Sequence, residues 1–336
     1  MNNRSATPSA FGWNFQVNAA IVIMLDNLKA MTSMRLEGNE DIEINLEDGT
    51  SILAQAKSVV RSSEDFDNVL KNLKKSLCSL SEAYHSTSSV KQLIYITNSP
   101  NPLNISAEMH IFAGAPAYRT YDDLPKKSRN KIDKILSNIT SPLDKSKLII
   151  QTLPFETNND KERYKHVWLK INEFLSNIGE DRLSIIELHN IWQGDIFKSG
   201  TKNDYSIKLT KKDLIWPVIV ILTEKETFTS EFNEELDDAE IEEISRAYKD
   251  IINTCTERFE FFTKVLYEFN TFRQGNKGKE GYNNFINSES QNFAYIFDDN
   301  EINIDESIQS TLLKIIVKKI IDKRFRINTI KQAVNL

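Results

Sequence analysis

The sequence predicts an α/β fold: a mixed sheet flanked by helices, followed by a mainly helical second half. Three observations carry this. Short segments alternate apolar and polar residues between residues 34 and 57, as strands do. Helical periodicity brackets them on both sides. Beyond Pro154 the strand-like segments give way to long helical patterns.

Residues 12–31 read as a helix with Phe15, Ala19, Val22 and Leu25 or Met24 on one face. Three strand-like segments follow, weak at 34–37 and clean at 41–46 and 51–57. The last two are joined by Glu47-Asp48-Gly49, a hairpin signal. A second amphipathic helix spans about 63–84 through Phe66, Val69, Leu70, Leu73, Leu77 and Leu80. Ser62 or Ser63 is placed to cap it, with Glu64 and Asp65 in the first turn. Residues 92–97 read as a buried strand, halted by Asn98-Ser99-Pro100-Asn101-Pro102. A basic helix at 126–137 and an apolar strand at 148–153 complete a first domain, 1–154. The second, 155–336, shows helical patterns at 161–177, 181–192, 240–272 and 306–321.

The 336 residues are enough for two domains with cores. Composition, 40% hydrophobic and 27% charged, is that of a globular protein rather than a disordered chain. A net charge of −6 argues against a uniformly basic nucleic-acid coat, although an enzyme needs only a local basic surface. Cys78 and Cys255 lie far apart, so neither a disulfide framework nor zinc spacing is present. The opening MNNRSATPSAFG has no apolar stretch, and the run 214–222 is interrupted by Pro217. A cytoplasmic protein without membrane contact is expected.

On alternating strands Asp41, Glu43 and Asn45 share one side, as do Leu53, Gln55 and Lys57. Folding the hairpin brings Asp41 beside Gln55 and Lys57. Phosphodiester hydrolysis needs such a set: oxygen ligands for Mg²⁺ and a cation near the attacking water. Asp41 is the expected main metal ligand, with the Gln55 side-chain oxygen and the Ala56 carbonyl beside it. Lys57 is expected to orient or deprotonate the water and to offset charge on the phosphate. Gln-x-Lys by itself means little, since about one such triplet arises by chance in a chain of this length. Its position at the end of a hairpin, bracketed by helices, gives it weight.

The runs GWNFQ (12–16), LEGNEDIEI (36–44), AQAKS (54–58) and YITNSPNP (95–102) resemble the nuclease domain of bacterial antiphage effectors. These are the double-stranded-DNA nucleases of cyclic-oligonucleotide systems and the nuclease subunits of Lamassu and ABC-three-component systems. The core is similar to Mrr-type PD-(D/E)xK enzymes, which carry an acid followed by Q-x-K. The resemblance covers about residues 10–150 and implies a restriction-endonuclease-like fold. It also implies Mg²⁺, or Mn²⁺ in its place, double-stranded DNA as substrate, and SMC-like or ABC ATPase partners or copies of the chain itself. It places the family acid on Asp41, Q-x-K on Gln55 and Lys57, and a polar helix residue on Gln16. The second acid of the motif is Gln55 here. Glu37, Glu43 or Gln16 are the residues available to compensate, whereas Glu40 is set aside because strand parity pairs Asp41 with Glu43. A catalytically inactive nuclease fold that binds DNA or a partner is the alternative.

Elsewhere, Lys126, Lys127, Arg129, Lys131 and Lys134, with Lys145 and Lys147, form a phosphate-tracking candidate. Residues 224–243 carry ten acids against Lys225 alone and read as a solvated face. Residues 314–331 carry seven basic residues against Asp322. The glycines at 275, 278 and 281 lack a GK[ST] ending and read as a mobile connection. The four histidines show no ligand spacing and read as structural or surface groups. Ile308, Leu312, Ile315, Ile316, Ile320 and Ile321 make an amphipathic helix, for core packing or for docking.

Overall fold

The computed structural model describes residues 7–60, 66–113, 116–156, 158–224, 238–254, 259–297 and 306–336. A seven-stranded mixed sheet organises the first unit. Its strands are β1 (Met31–Leu36), β2 (Ile42–Leu46), β3 (Ser51–Lys57), β4 (Val90–Thr97), β5 (Ala117–Thr120), β6 (Leu148–Thr152) and β7 (Leu209–Thr210). They are ordered β5-β6-β4-β3-β2-β1-β7. β3, β4 and β6 run parallel at the centre, and the remaining pairs are antiparallel. Central parallel strands are covered on both faces, which is why β4 and β6 read as nearly unbroken apolar runs.

On one face Leu53, Leu93, Tyr95, Leu148 and Ile150 form a core with Leu73, Leu77, Leu80 and Ala83 of α2 (Phe66–Ser86) and with Ile132 and Leu136 of α3 (Lys126–Leu136). The alternate residues face α1 (Thr7–Asn27). The sequence suggests one apolar stripe on α1, yet Phe15, Val17 and every residue from Ala19 to Met24 are buried. α4 (Asp160–Asn177) and α5 (Ile185–Gly200) pack against α1 as well. A helix held between a sheet and two helices has no solvent face, so it is apolar all round.

Three hydrogen-bonded links fasten this layer. Trp168 Nε1–H donates to His189 Nδ1 at 3.0 Å, which leaves His189 Nε2–H to donate to Asn18 Oδ1 at 2.7 Å. Asn18 donates in turn to Asn14 Oδ1 at 2.7 Å, and Asn14 to the Tyr164 hydroxyl at 2.9 Å. His189 is thus a satisfied core histidine, and its burial pushes its pKa down to about 4.

The turn read at 47–49 is present, with Gly49 at φ 78° and its N–H donating to Leu46 O at 3.1 Å. That backbone region favours glycine. The proposed caps at 62–65 lie outside the described residues, as do Cys255 and residues 225–237 of the acidic stretch. The sequence reading lacked β5, the 3₁₀ turn Ser106–Phe112 and the two-residue β7. All three are too short to generate a periodic signal.

The chain divides into two units, Met1–Asn177 with Ile185–Lys211, and Ile178–Ser184 with Lys212–Leu336. This differs from a division near residue 154. α4, α5 and β7 belong to the sheet-bearing unit, β7 through pairing of Ser33 with Thr210 and Met34 with Leu209.

The second unit is helical: α6 (Lys211–Glu224, entering from the first unit), α7 (Asp238–Thr254), α8 (Phe259–Gly275), α9 (Gly278–Asn284), α10 (Glu306–Asp322) and α11 (Arg324–Ala333). Pro217 lies inside α6 rather than ending it. Gly278 begins α9, so the stretch read as a mobile connection is partly helix. Leu312, Ile315, Ile316, Ile320 and Ile321 are all buried, so the packing reading of that helix holds. Arg326 grips the buried Glu180 with two nitrogens.

Candidate functional site

The site forms where β3 ends and the chain turns into β2. Before β2 the backbone is not extended: Glu37 sits at φ 52°, Glu37 N–H donates to Asp41 O, and Gly38 N–H donates to Glu40 O, both at 3.1 Å. Strand parity therefore begins only at Ile42. Antiparallel pairing of Ile42 with Ala54 carries Asp41 across to the end of β3.

Asp41 is the hub. Its Oδ2 accepts from Lys57 Nζ at 2.8 Å and from the Ala56 N–H at 3.0 Å, and its Oδ1 accepts from Gln55 Nε2 at 3.0 Å. Asp41 and Lys57 keep side-chain exposures of 14% and 32%, enough to meet a ligand from solvent. The structure thus brings together the three residues that the sequence singles out. Gln16 joins them from α1, donating to Glu37 Oε1 at 2.7 Å and to the Asp41 carbonyl at 3.1 Å. Gln16 and Glu37 hold the turn that aims Asp41.

Glu43 is elsewhere. Its carboxylate accepts from Lys208 Nζ at 3.2 Å and from Asn39 N–H at 3.4 Å. Gly38 permits this, since a Cβ there would lie 2.8 Å from Glu43 Oε2. The second carboxylate at Asp41 is Glu40, which the sequence reading set aside. Gln55 Nε2 also donates to Glu40 Oε2, and Ser79 Oγ of α2 donates to Glu40 Oε1 at 2.8 Å. Glu40 is buried, and loss of water pushes its pKa up to about 7. Hydrogen bonds from Ser79 and Gln55 oppose this, the Asp41 charge adds to it, and the Lys57 charge opposes it. The overlooked signal was the Gly38-Asn39 pair, a turn dipeptide that suspends alternation just before the two acids.

Downstream, the buried Asn98 fixes the chain leaving Lys57. Its Oδ1 accepts from Val59 N–H at 2.9 Å, and its Nδ2 donates to Val59 O at 2.9 Å and to Phe155 O at 3.2 Å.

Among the described residues no group of three His, Cys, Asp or Glu side chains is placed to hold a metal ion. The oxygen set here is two carboxylates, an amide and a carbonyl. N–H and C=O of one strand residue point to the same neighbour. The Ala56 carbonyl therefore faces the side on which its N–H meets Asp41. These are hard donors of the type Mg²⁺ prefers. Gln55 now presents its NH₂ to both carboxylates; a half-turn of the amide would present oxygen instead. By donor chemistry the residues fit a divalent cation.

On α3, Lys126, Lys127 and Lys134 are exposed, while Arg129 and Lys131 are half-buried. Lys131 Nζ donates to Asn104 O at 3.0 Å. Lys145 is engaged by Asp133 at 2.9 Å, and Lys147 donates to Val90 O at 2.6 Å. The cations projecting outward are therefore those of α3.

No protein-family model and no curated protein matches the chain. Among solved structures, the Acinetobacter baumannii Cap4 SAVED/CARF-domain containing receptor with the cyclic trinucleotide 3'3'3'-cAAA aligns at 16% identity and a TM-score of 0.34. The alignment covers 67% of this chain and 47% of that one. No helix among the described residues is long and apolar enough to cross a membrane.

Proposed function

We propose that this chain is a metal-dependent phosphodiesterase acting on double-stranded DNA, with its site at Asp41, Glu40, Gln55 and Lys57. The observation that carries this reading is the meeting of Asp41 with Lys57 Nζ at 2.8 Å and with the Gln55 amide that also reaches Glu40. Glu40 supplies the second negative charge that Gln55 lacks.

In this mechanism Asp41, Glu40 and the Ala56 carbonyl, with Gln55 once its amide turns, would hold the cation. Bound Mg²⁺ supplies Lewis acidity and lowers the pKa of water. Lys57 places an ammonium at the edge of the carboxylate pair, where it can orient water and oppose charge building on a phosphate. Gln16 and Glu37 keep the turn rigid, and Ser79 fixes Glu40. The sequence resemblance adds the setting, an effector subunit of an antiphage complex governed by ATPase partners or by self-assembly. In it the helical unit serves assembly.

Incubating the full chain with supercoiled plasmid and Mg²⁺ or Mn²⁺ tests the reading, with EDTA and partner-containing reactions alongside. Metal-dependent nicking or linearisation supports it. No cleavage under any of these conditions, with DNA still bound, leaves the second reading, an inactive nuclease fold that binds DNA or a partner. The absence of a three-ligand His/Cys/Asp/Glu group among the described residues favours that second reading.

The α3 cations yield a separate expectation. Charge reversal at Lys126, Lys127 and Lys134 should flatten the salt dependence of DNA affinity by about 0.9 log unit for each phosphate no longer neutralised. Fluorescence anisotropy across a salt series measures this. An unchanged slope places DNA on another surface.

A further inference from the structure

A cavity of about 460 Å³ opens on the α1 face of the sheet, lined by α1, α4, β4, β5 and β6 and sharing no residue with the site above. Its floor and walls are apolar, Val22, Ile23, Ile94 and Leu153 among them. Gln151 projects from β6 into this lining, is only 5% exposed, and its Oε1 has no hydrogen-bond partner. A buried unpaired amide oxygen costs about 1–3 kcal/mol. One water occupies about 30 Å³, whereas small-ligand pockets span roughly 300–1,000 Å³.

The lining restricts what would complete Gln151. The vacant acceptor calls for an N–H or O–H donor, and a primary amide offers its own NH₂ alongside. A flat molecule with a donor next to an acceptor matches both at once, as glutamine matches the edge of adenine. The Tyr118 hydroxyl lies against the Gln92 side chain, and its ring is 42% exposed at the mouth. The charged groups at the rim already answer one another: Lys170 Nζ meets Asp26 at 2.7 Å and Glu173 at 3.1 Å. No net positive charge is left for an anion. His166, also in the lining, is held toward its neutral form by burial.

We propose that this cavity binds a nucleobase-type heterocycle: planar, uncharged, with a donor and an acceptor side by side against Gln151 and its faces against the aliphatic walls and Tyr118. The ligand could arrive as a free nucleoside or as a base turned out of a nucleic-acid strand. The inference stands apart from the nuclease reading, because it uses none of the same residues.

The test is calorimetric titration of the full chain with adenosine, guanosine, cytidine and uridine, and in parallel with single-stranded deoxy-octamers of each base. At least one probe should bind with a Kd of about 1 mM or tighter. Gln151→Met, which keeps the volume and removes the amide, should weaken that binding about tenfold or more without lowering the melting temperature. Tyr118→Ala, at an exposed edge-strand position, is the second variant and should also weaken it. Binding of nucleosides assigns the site to a free ligand, and amide-dependent binding of octamers alone assigns it to an everted base. No binding of any probe, or equal binding by Gln151→Met and by Tyr118→Ala, overturns the proposal.

Discussion

Lys57→Ala is expected to slow DNA cleavage about 10³-fold while leaving DNA affinity nearly unchanged. Lys57 is one cation beside a carboxylate, and a group needed in the transition state lowers turnover rather than ground-state binding. Its effect on stability should be small. Asp41 keeps the Ala56 N–H and the Gln55 amide when Lys57 is gone, and a partly exposed ion pair is worth about 1 kcal/mol or less. Metal affinity should move in opposite directions in two variants. Asp41→Ala removes the main ligand and should abolish Mg²⁺ binding, whereas Lys57→Ala removes a cation competing for Asp41 Oδ2 and should tighten it. Titration calorimetry with Mg²⁺ and plasmid cleavage in the presence of partner subunits measure both. Full cleavage by Lys57→Ala would remove the nuclease assignment from this site.

Two buried groups should give stability opposite dependences on pH. Glu40 keeps its proton in the folded chain up to about pH 7 but loses it near 4.5 when unfolded. The folded state therefore binds more protons between these values, and stability falls as pH rises from 4.5 to 7, by up to about 3 kcal/mol. His189 has the reverse sign. Its pKa drops from 6.5 to about 4 on folding, so the unfolded state binds more protons in that window. That contribution is present above pH 6.5 and is lost as pH falls toward 4, by a similar amount.

The two slopes nearly cancel in the native chain, and single variants should separate them. Glu40→Gln keeps a side chain able to bond both Gln55 and Ser79 but carries no charge. In metal-free buffer it should be more stable than the native chain at pH 8, and stability should fall on acidification. His189→Gln, whatever its absolute cost, should show the opposite slope, losing stability toward pH 7. Denaturant midpoints from pH 4.5 to 8 in EDTA measure this, and a Glu40→Gln profile parallel to the native one would refute the assignment. The same variant should cleave DNA poorly if Glu40 supplies the missing charge.

Much of the architecture is written locally in the sequence. The hairpin turn, the α2 stripe, the buried β4 and β6 strands and the grouping of Asp41, Gln55 and Lys57 follow from alternation, helical period and turn chemistry, which act over a few residues. Tertiary packing decided what depends on distant partners. α1 is apolar on every side because α4 and α5, well over a hundred residues further along, cover its outer face. β7 is a strand only because β1 offers it an edge. Glu40 takes the place expected of Glu43 because the turn at Gly38 breaks the alternation and Ser79, thirty-nine residues away, receives its carboxylate. Glu43 is drawn off by Lys208, 165 positions distant. Sequence pattern records the period of an element, whereas the choice between neighbouring acids rests on burial and on donors that only the folded chain brings within 3 Å or so.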